Sequence, residues 1–219
     1  MTFPLYVFDA YGTLFDVHSA VARHRALVGA EADRLSELWR TKQLEYTWTR
    51  SLMGAHRDFA ALTEEALDFA AARCGGVSPN AREKLLSAYQ TLDAFPDVAP
   101  TLQALKDRGA RLVILSNGTP AMLESAVRSA RLGDLLDESL SVESVGAFKT
   151  DPRVYELVER KYGLKPDKVS FQSSNRWDVA GAARFGFRAV WINRSSAPDE
   201  YHEFRPAAVL NGLAALAAM

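Results

Sequence analysis

Four short apolar runs, each closed by polar residues, set the rhythm of the chain. Leu5-Tyr6-Val7-Phe8 ends at Asp9, Arg111-Leu112-Val113-Ile114-Leu115 at Ser116, Val169-Ser170-Phe171 at Gln172, and Ala189-Val190-Trp191-Ile192 at Asn193. Their length and content of strand formers predict buried strands. Between them the apolar positions change to helical spacing: Val98, Leu102 and Leu105 share one face, as do Met122, Leu123, Ala126 and Ala130, and then Val154, Leu157, Val158 and Lys161. Thr119-Pro120 and Asp151-Pro152 each offer an N-cap followed by proline at the first helical position. Gly163 and Gly186 suit the corresponding C-caps. Strands alternating with helices predict an α/β fold, a Rossmann-like, doubly wound parallel sheet that binds ligands at the carboxyl ends of its strands. Asp9, Ser116 and the polar stretch after Phe171 fall at that edge.

Residues 16–95 break the alternation, with amphipathic helical patterns and no convincing strand. One pattern runs through Phe59, Leu62, Ala66, Phe69 and Arg73. The expected organisation is a sheet domain of residues 1–15 and 96–219 with an α-helical cap, 16–95, inserted after the first strand and its loop. Asp93-Ala94-Phe95-Pro96-Asp97 reads as the return linker.

Charge and cysteine content narrow the partners. With 26 basic against 27 acidic residues among 219, no excess charge points to nucleic acid or an acidic membrane surface. No run approaches the roughly 20 apolar residues that span a bilayer, and Met1 to Phe8 is too short for a signal sequence. Cys74 is alone and reads as inert core. His18, His24, His56 and His202 have no ligand spacing. A cytoplasmic protein acting on a small molecule is expected.

The chemistry-bearing residues come in four groups: Asp9-Ala10-Tyr11-Gly12-Thr13-Leu14-Phe15-Asp16, Ser116-Asn117-Gly118, Lys149 shortly before Pro152, and Ser173-Ser174-Asn175-Arg176-Trp177-Asp178. In this order and spacing they resemble the haloacid dehalogenase superfamily, and within it the type II (S)-2-haloacid dehalogenase branch. The likeness covers the whole chain, including a helical cap carrying Trp39-Arg40 and Tyr46.

Two positions select that branch. The superfamily's phosphatases carry a second aspartate two residues after the nucleophile as general acid, and Tyr11 stands there instead. Phosphoryl transfer also uses magnesium held by acids of the last motif, and that motif here has Asp178 as its one carboxylate. Displacing a halide from carbon needs neither a proton for the leaving group nor a metal.

The resemblance implies hydrolysis of short-chain L-2-haloalkanoic acids to D-2-hydroxyalkanoic acids, with no metal and no cofactor. Asp9 is the expected nucleophile, forming an ester that water then hydrolyses. Lys149 keeps Asp9 ionised. Thr13 and Ser173 orient its carboxylate, and Arg40 cradles the halide from the cap. Ser116 and Asn117, with the backbone N–H groups near them, receive the substrate carboxylate. Asp178 activates water, supported by Asn175 and Lys149, and Tyr155 completes the site. Tyr11, Leu44, Phe59 and Trp177 form the apolar wall around the alkyl group.

Other readings remain at this level. Tyr11, Leu44, Phe59 and Trp177 also suit ordinary packing, and Asp178 could cap a helix. Gln172, Arg176 and Thr41 depart from the branch pattern and could reshape the pocket or its charge. Alternative functions are C–N ring opening of azetidine-2-carboxylate, phosphatase action on a small phosphoester, and a catalytically silent binding protein. Halogen preference, chain length and oligomeric state stay open, although similar proteins commonly form homodimers through the cap.

Overall fold

The computed structural model describes residues 3–218. Residues 1, 2 and 219, assigned to the sheet domain on sequence grounds, lie outside the described residues. Strand β1 (Leu5–Phe8) leads into five helices, α1 (Ser19–Arg23), α2 (Arg25–Val28), α3 (Ala32–Met53), α4 (Phe59–Arg73) and α5 (Pro79–Tyr89). Helix α6 (Val98–Lys106) returns the chain to β2 (Arg111–Ser116), followed by α7 (Pro120–Ser129), β3 (Glu138–Ser141), α8 (Pro152–Tyr162) and β4 (Val169–Ser173). Helix α9 (Arg176–Phe185), β5 (Arg188–Ile192) and β6 (Ala208–Leu210) complete the order.

All six strands are parallel, in the order β3-β2-β1-β4-β5-β6. The central strands are buried throughout: β1 and β4 expose no residue, as befits a parallel sheet with helices on both faces. The chain steps from β1 to one side of the sheet and later returns to the other, so β1 and β4 flank the reversal of strand order. Side chains at their carboxyl ends face a crevice there.

The four predicted strands are present, each within two residues of its expected limits. Strands β3 and β6 were not foreseen, because Glu138-Ser139-Leu140-Ser141 is mostly polar and only partly buried, and Ala208-Val209-Leu210, although apolar, is three residues long with Val209 exposed. The expected caps form: Thr119 and Asp151 accept N–H groups of their helices, with Pro120 and Pro152 at the helix starts. Gly163 and Gly186 end α8 and α9 in the left-handed conformation.

Some expected faces rotate. On α4 the buried line is Phe59, Leu62, Thr63, Ala66, Leu67 and Ala70. Phe69 is instead 37% exposed with the Lys42 ammonium over its ring, and Arg73 is exposed. On α8, Lys161 is exposed and pairs with Glu138, while Tyr155 is buried in the core. Ala130 is half-buried at the end of α7. Cys74 is half-buried at the end of α4 rather than enclosed.

The helices between β1 and α6 pack on one another, α3 along α4 and α1 against α5. The chain leaves and re-enters the sheet through paired segments. Asp16 N donates to Asp93 O at 2.8 Å and Phe95 N to Leu14 O at 3.0 Å. Beside this crossing, Asp97 accepts both terminal nitrogens of Arg194 at 2.9 Å and Leu213 N at 2.7 Å. Arg194 also donates to Thr13 O at 3.1 Å. This clamp ties the loop after Asp9 to the C-terminal segment. Asp97→Ala is expected to destabilise the fold by about 2 kcal/mol, the worth of charged hydrogen bonds in a partly buried setting. Denaturant unfolding measures it, and Asp107→Ala on the exposed side of the same region serves as control.

Candidate active site

Asp9 is the first residue after β1, and its N–H extends the β1–β4 ladder by donating to Gln172 O at 2.9 Å. That register sets Asp9 beside Ser173. The chain then folds back sharply: Leu14 N and Phe15 N both donate to Ala10 O, with Gly12 at φ +91° in the bend. Thr13 is thereby returned to the aspartate. Its hydroxyl donates to Asp9 Oδ2 at 3.0 Å and accepts Ser174 N at 2.8 Å, so one oxygen joins two motifs. Asn175 Nδ2 donates to the same Oδ2 at 2.7 Å, and Ser173 Oγ does so at 3.3 Å. Oδ2 is therefore held by three donors, whereas Oδ1 receives only Lys149 Nζ at 3.0 Å.

Lys149 lies in the loop before α8, its side chain 1% exposed. Its ammonium also donates to Asp178 Oδ2 at 2.8 Å, bridging the two carboxylates. Burial pulls the lysine toward neutrality, but Asp178 and Asp9 more than reverse this, so its pKa is raised and it stays charged. Two carboxylates share one ammonium. Asp178 is consequently pushed up to about 6, chiefly by burial and further by the charge of Asp9, with Lys149 opposing both. Tyr155 donates to Asp178 Oδ1 at 2.8 Å. Burial holds that phenol far above its usual range, so it remains a donor. Tyr155 thus supports Asp178 and makes no hydrogen bond to Asp9. Nor does Asp178 cap a helix: Asn175 occupies the cap position of α9, and the Asp178 side chain turns inward to Lys149 and Tyr155.

Arg40 reaches the site from α3, donating to Tyr11 O at 3.3 Å and Asn175 Oδ1 at 3.4 Å. Tyr11 is buried, stacked on Tyr89 at 5.7 Å between ring centroids and packed on Phe59 at 5.6 Å. Its hydroxyl has no hydrogen-bond partner, and burial first, then Tyr89, raises its pKa well above the ordinary phenol. Position 11 therefore supplies a neutral ring and hydroxyl where a second acid would stand. Leu44 is half-buried one turn beyond Arg40, and Trp177 is half-buried at the start of α9.

Ser116 and Asn117 make no hydrogen bond to Asp9. Ser116 Oγ accepts Gly118 N at 3.1 Å, and Asn117 Oδ1 accepts Lys149 N at 3.0 Å, which fixes the backbone carrying the lysine. Gly118 must be glycine, because a Cβ there would lie 2.8 Å from the Tyr11 ring.

The three unusual positions turn away from this cluster. Gln172 points to the opposite face of the sheet from Ser173 and donates to Ser170 Oγ at 2.6 Å. Arg176 is buried, but it holds Asp199 at 2.7 Å and the carbonyls of Tyr201 and Phe204, so it anchors the loop after β5. Thr41 is exposed and donates to Glu37 O on its own helix. None of them adds charge beside Asp9.

Two members went unforeseen. Tyr89 stacks on Tyr11 from α5, and Phe148, just before Lys149, packs on Phe59 at 6.3 Å. The first carries no motif, but the second could have been found from its place next to Lys149. Among the described residues, no group of three His, Cys, Asp or Glu side chains is arranged to hold a metal ion.

The fold and this constellation define a hydrolase class with an aspartate at the end of its first strand. A sequence profile of haloacid dehalogenase-like hydrolases matches residues 3–186. The chain is 49% identical over 201 residues to (S)-2-haloacid dehalogenase 4A of Burkholderia cepacia, covering 91% of this chain and 87% of that one. A crystal structure described as a dehalogenase superposes with a TM-score of 0.95 at 45% identity, covering 98% of this chain and 95% of that one. L-2-haloacid dehalogenase from Xanthobacter autotrophicus, with chloropropionic acid covalently bound, superposes with a TM-score of 0.89 at 34% identity over 99% and 97% of the two chains. The chain belongs to the haloacid dehalogenase-like hydrolase family.

Lys149→Met removes the only cation hydrogen-bonded to both carboxylates. It should cost about 3 kcal/mol or more at neutral pH, because it strands buried charge. Without the ammonium Asp178 is raised further, so the folded variant binds a proton that the unfolded chain releases. The deficit against wild type should therefore narrow as pH falls from 7 to 5. Urea unfolding across that range checks it, and a deficit that widens toward acid contradicts the bridge.

Proposed function

We propose that this protein hydrolyses short-chain L-2-haloalkanoic acids to D-2-hydroxyalkanoic acids and halide, with Asp9 as nucleophile and residues 16–95 as a cap over the sheet domain. The observation that carries this is the unequal holding of the Asp9 carboxylate. Oδ2 is engaged by Thr13, Ser173 and Asn175, and Oδ1 by Lys149 alone. Oδ1 keeps a lone pair free to attack C2 from the side opposite the halogen, which inverts that carbon. Arg40, a permanent cation, receives the departing halide, and the substrate carboxylate meets Ser116, Asn117 and the N–H groups before α7.

The same asymmetry serves the second step. Once Oδ1 is esterified, Oδ2 is the ester carbonyl oxygen. Asp178 takes a proton from water as that water adds to Cγ, and negative charge develops on Oδ2 among its three donors. Collapse expels the alkoxide carrying Oδ1, which recovers the proton from Asp178, and the second proton of the water is lost to solvent from the re-formed Asp9 carboxyl, matching the acid released with the halide. Lys149 stays charged throughout and orients both carboxylates. The substrate and released halide are the protein's expected small-molecule partners, in a cytoplasmic setting.

Incubation with racemic 2-chloropropionate should release chloride from one enantiomer and yield D-lactate. Equal consumption of both enantiomers, or no chloride, overturns the assignment. Asp9→Asn should lower turnover about 10⁴-fold or more. Asp178→Asn should release about one chloride per active site and then slow by about 10²- to 10⁴-fold, as the ester waits for a base. Acid dependence should follow Asp178, with turnover falling as pH drops and the base gains its proton. Esterification also removes the Asp9 charge that helps raise Asp178. The turnover limb should therefore lie on the acid side of the value of about 6 that burial and Asp9 impose in the free enzyme. A limb on the alkaline side contradicts that role.

A further inference from the structure

The face of α3 that brings Arg40 to the site does not end there. Leu44, Trp48 and Leu52 follow at four-residue steps, so Trp48 lies about 12 Å further along the helix. The opposing segment runs beside it: Arg40 contacts Asn175, and Trp48 meets Trp177 edge-to-face at 5.4 Å and 83°. Behind this pair opens a groove of about 850 Å³. Trp48, Leu52, Phe148, Lys149 and Trp177 are among its lining residues. Aromatic packing connects it to the site, because Phe148 touches Phe59 and Phe59 touches Tyr11.

The catalytic groups themselves are closed off. Asp9 is 4% exposed, and the Lys149 side chain 1%. Trp48 is 37% exposed, so it stands between buried chemistry and an open apolar groove. We propose that Trp48, against Trp177, is the residue that limits substrate chain length, and that the groove behind it is a subsite for the alkyl tail of a longer 2-haloacid. The occupant follows from continuity and polarity. Lys149, which holds Asp9, lines the groove together with Trp177 and Trp48, so an alkyl chain extending from a substrate at Asp9 past Lys149 runs beside the Trp48–Trp177 pair into an aromatic-walled space with no carboxylate but Asp151 in its lining. This rests on the function proposed above, whereas the size limit itself does not require turnover.

Two measurements separate the ideas. In a halide-release series, Trp48→Ala should raise the kcat/KM ratio of 2-bromooctanoate over 2-chloropropionate about tenfold or more, each fully buried methylene being worth about fourfold. Trp48→Phe should keep the ratio within about threefold of wild type, since a ring still closes the groove. A role confined to packing would lower both substrates together, and an unchanged ratio in Trp48→Ala overturns the proposal. Calorimetric binding of octanoate, which carries no halogen, gives the second readout. Trp48→Ala should bind it about tenfold more tightly than wild type, and equal affinity refutes the subsite. If wild type releases no halide from any acid, the proposed function fails and the octanoate comparison alone decides the subsite.

Discussion

Lys149 is the point on which the site depends. Its ammonium lies within 3.0 Å of Asp9 and 2.8 Å of Asp178, with all three side chains nearly excluded from water. An isolated buried carboxylate would take up a proton rather than stay ionised. A shared cation allows two of them to persist side by side, and Asp178 is still pushed up to about 6, first by burial and then by the charge of Asp9. In the mechanism proposed above, esterification of Asp9 removes the Asp9 charge, so Asp178 acts as the base at a lower pKa than in the free enzyme.

The fold delivers these groups from separate stretches of chain to one edge. The β1–β4 register puts Asp9 next to Ser173, the hydroxyl of Thr13 links the loop after Asp9 to the last motif, and Asn117 fixes the backbone N–H of Lys149. Arg40 comes from α3, and the paired crossing at Asp16–Asp93 and Leu14–Phe95 joins the helices between β1 and α6 to the sheet.

Much of this was readable from the residues. Buried parallel strands advertise themselves as apolar runs, so four strands and the position of Asp9 followed from the sequence alone. Edge strand β3 is mostly polar and β6, although apolar, is only three residues long, so neither carries such a signal. The motifs put Asp9, Thr13, Lys149, Ser173, Asn175 and Asp178 into one reading, and the structure brings all six into one hydrogen-bonded cluster. What could not be read is the direction of side chains within a motif. Arg176 turns outward to a loop while its neighbours turn inward, and Tyr155 serves Asp178 rather than Asp9. Tyr89 was invisible because its contribution is a ring stacked on Tyr11 across 78 residues of sequence.

The central claim is that Asp9 is alkylated through Oδ1 and regenerated by attack of water on its own carboxyl carbon. A single turnover of excess enzyme with L-2-chloropropionate in heavy-oxygen water, followed by mass spectrometry of the Asp9 peptide and of the lactate, tests this directly. The account predicts one heavy oxygen in the Asp9 carboxylate and none in the lactate hydroxyl. Label in the lactate with Asp9 unlabelled would mean that water attacked the substrate carbon, and would contradict it.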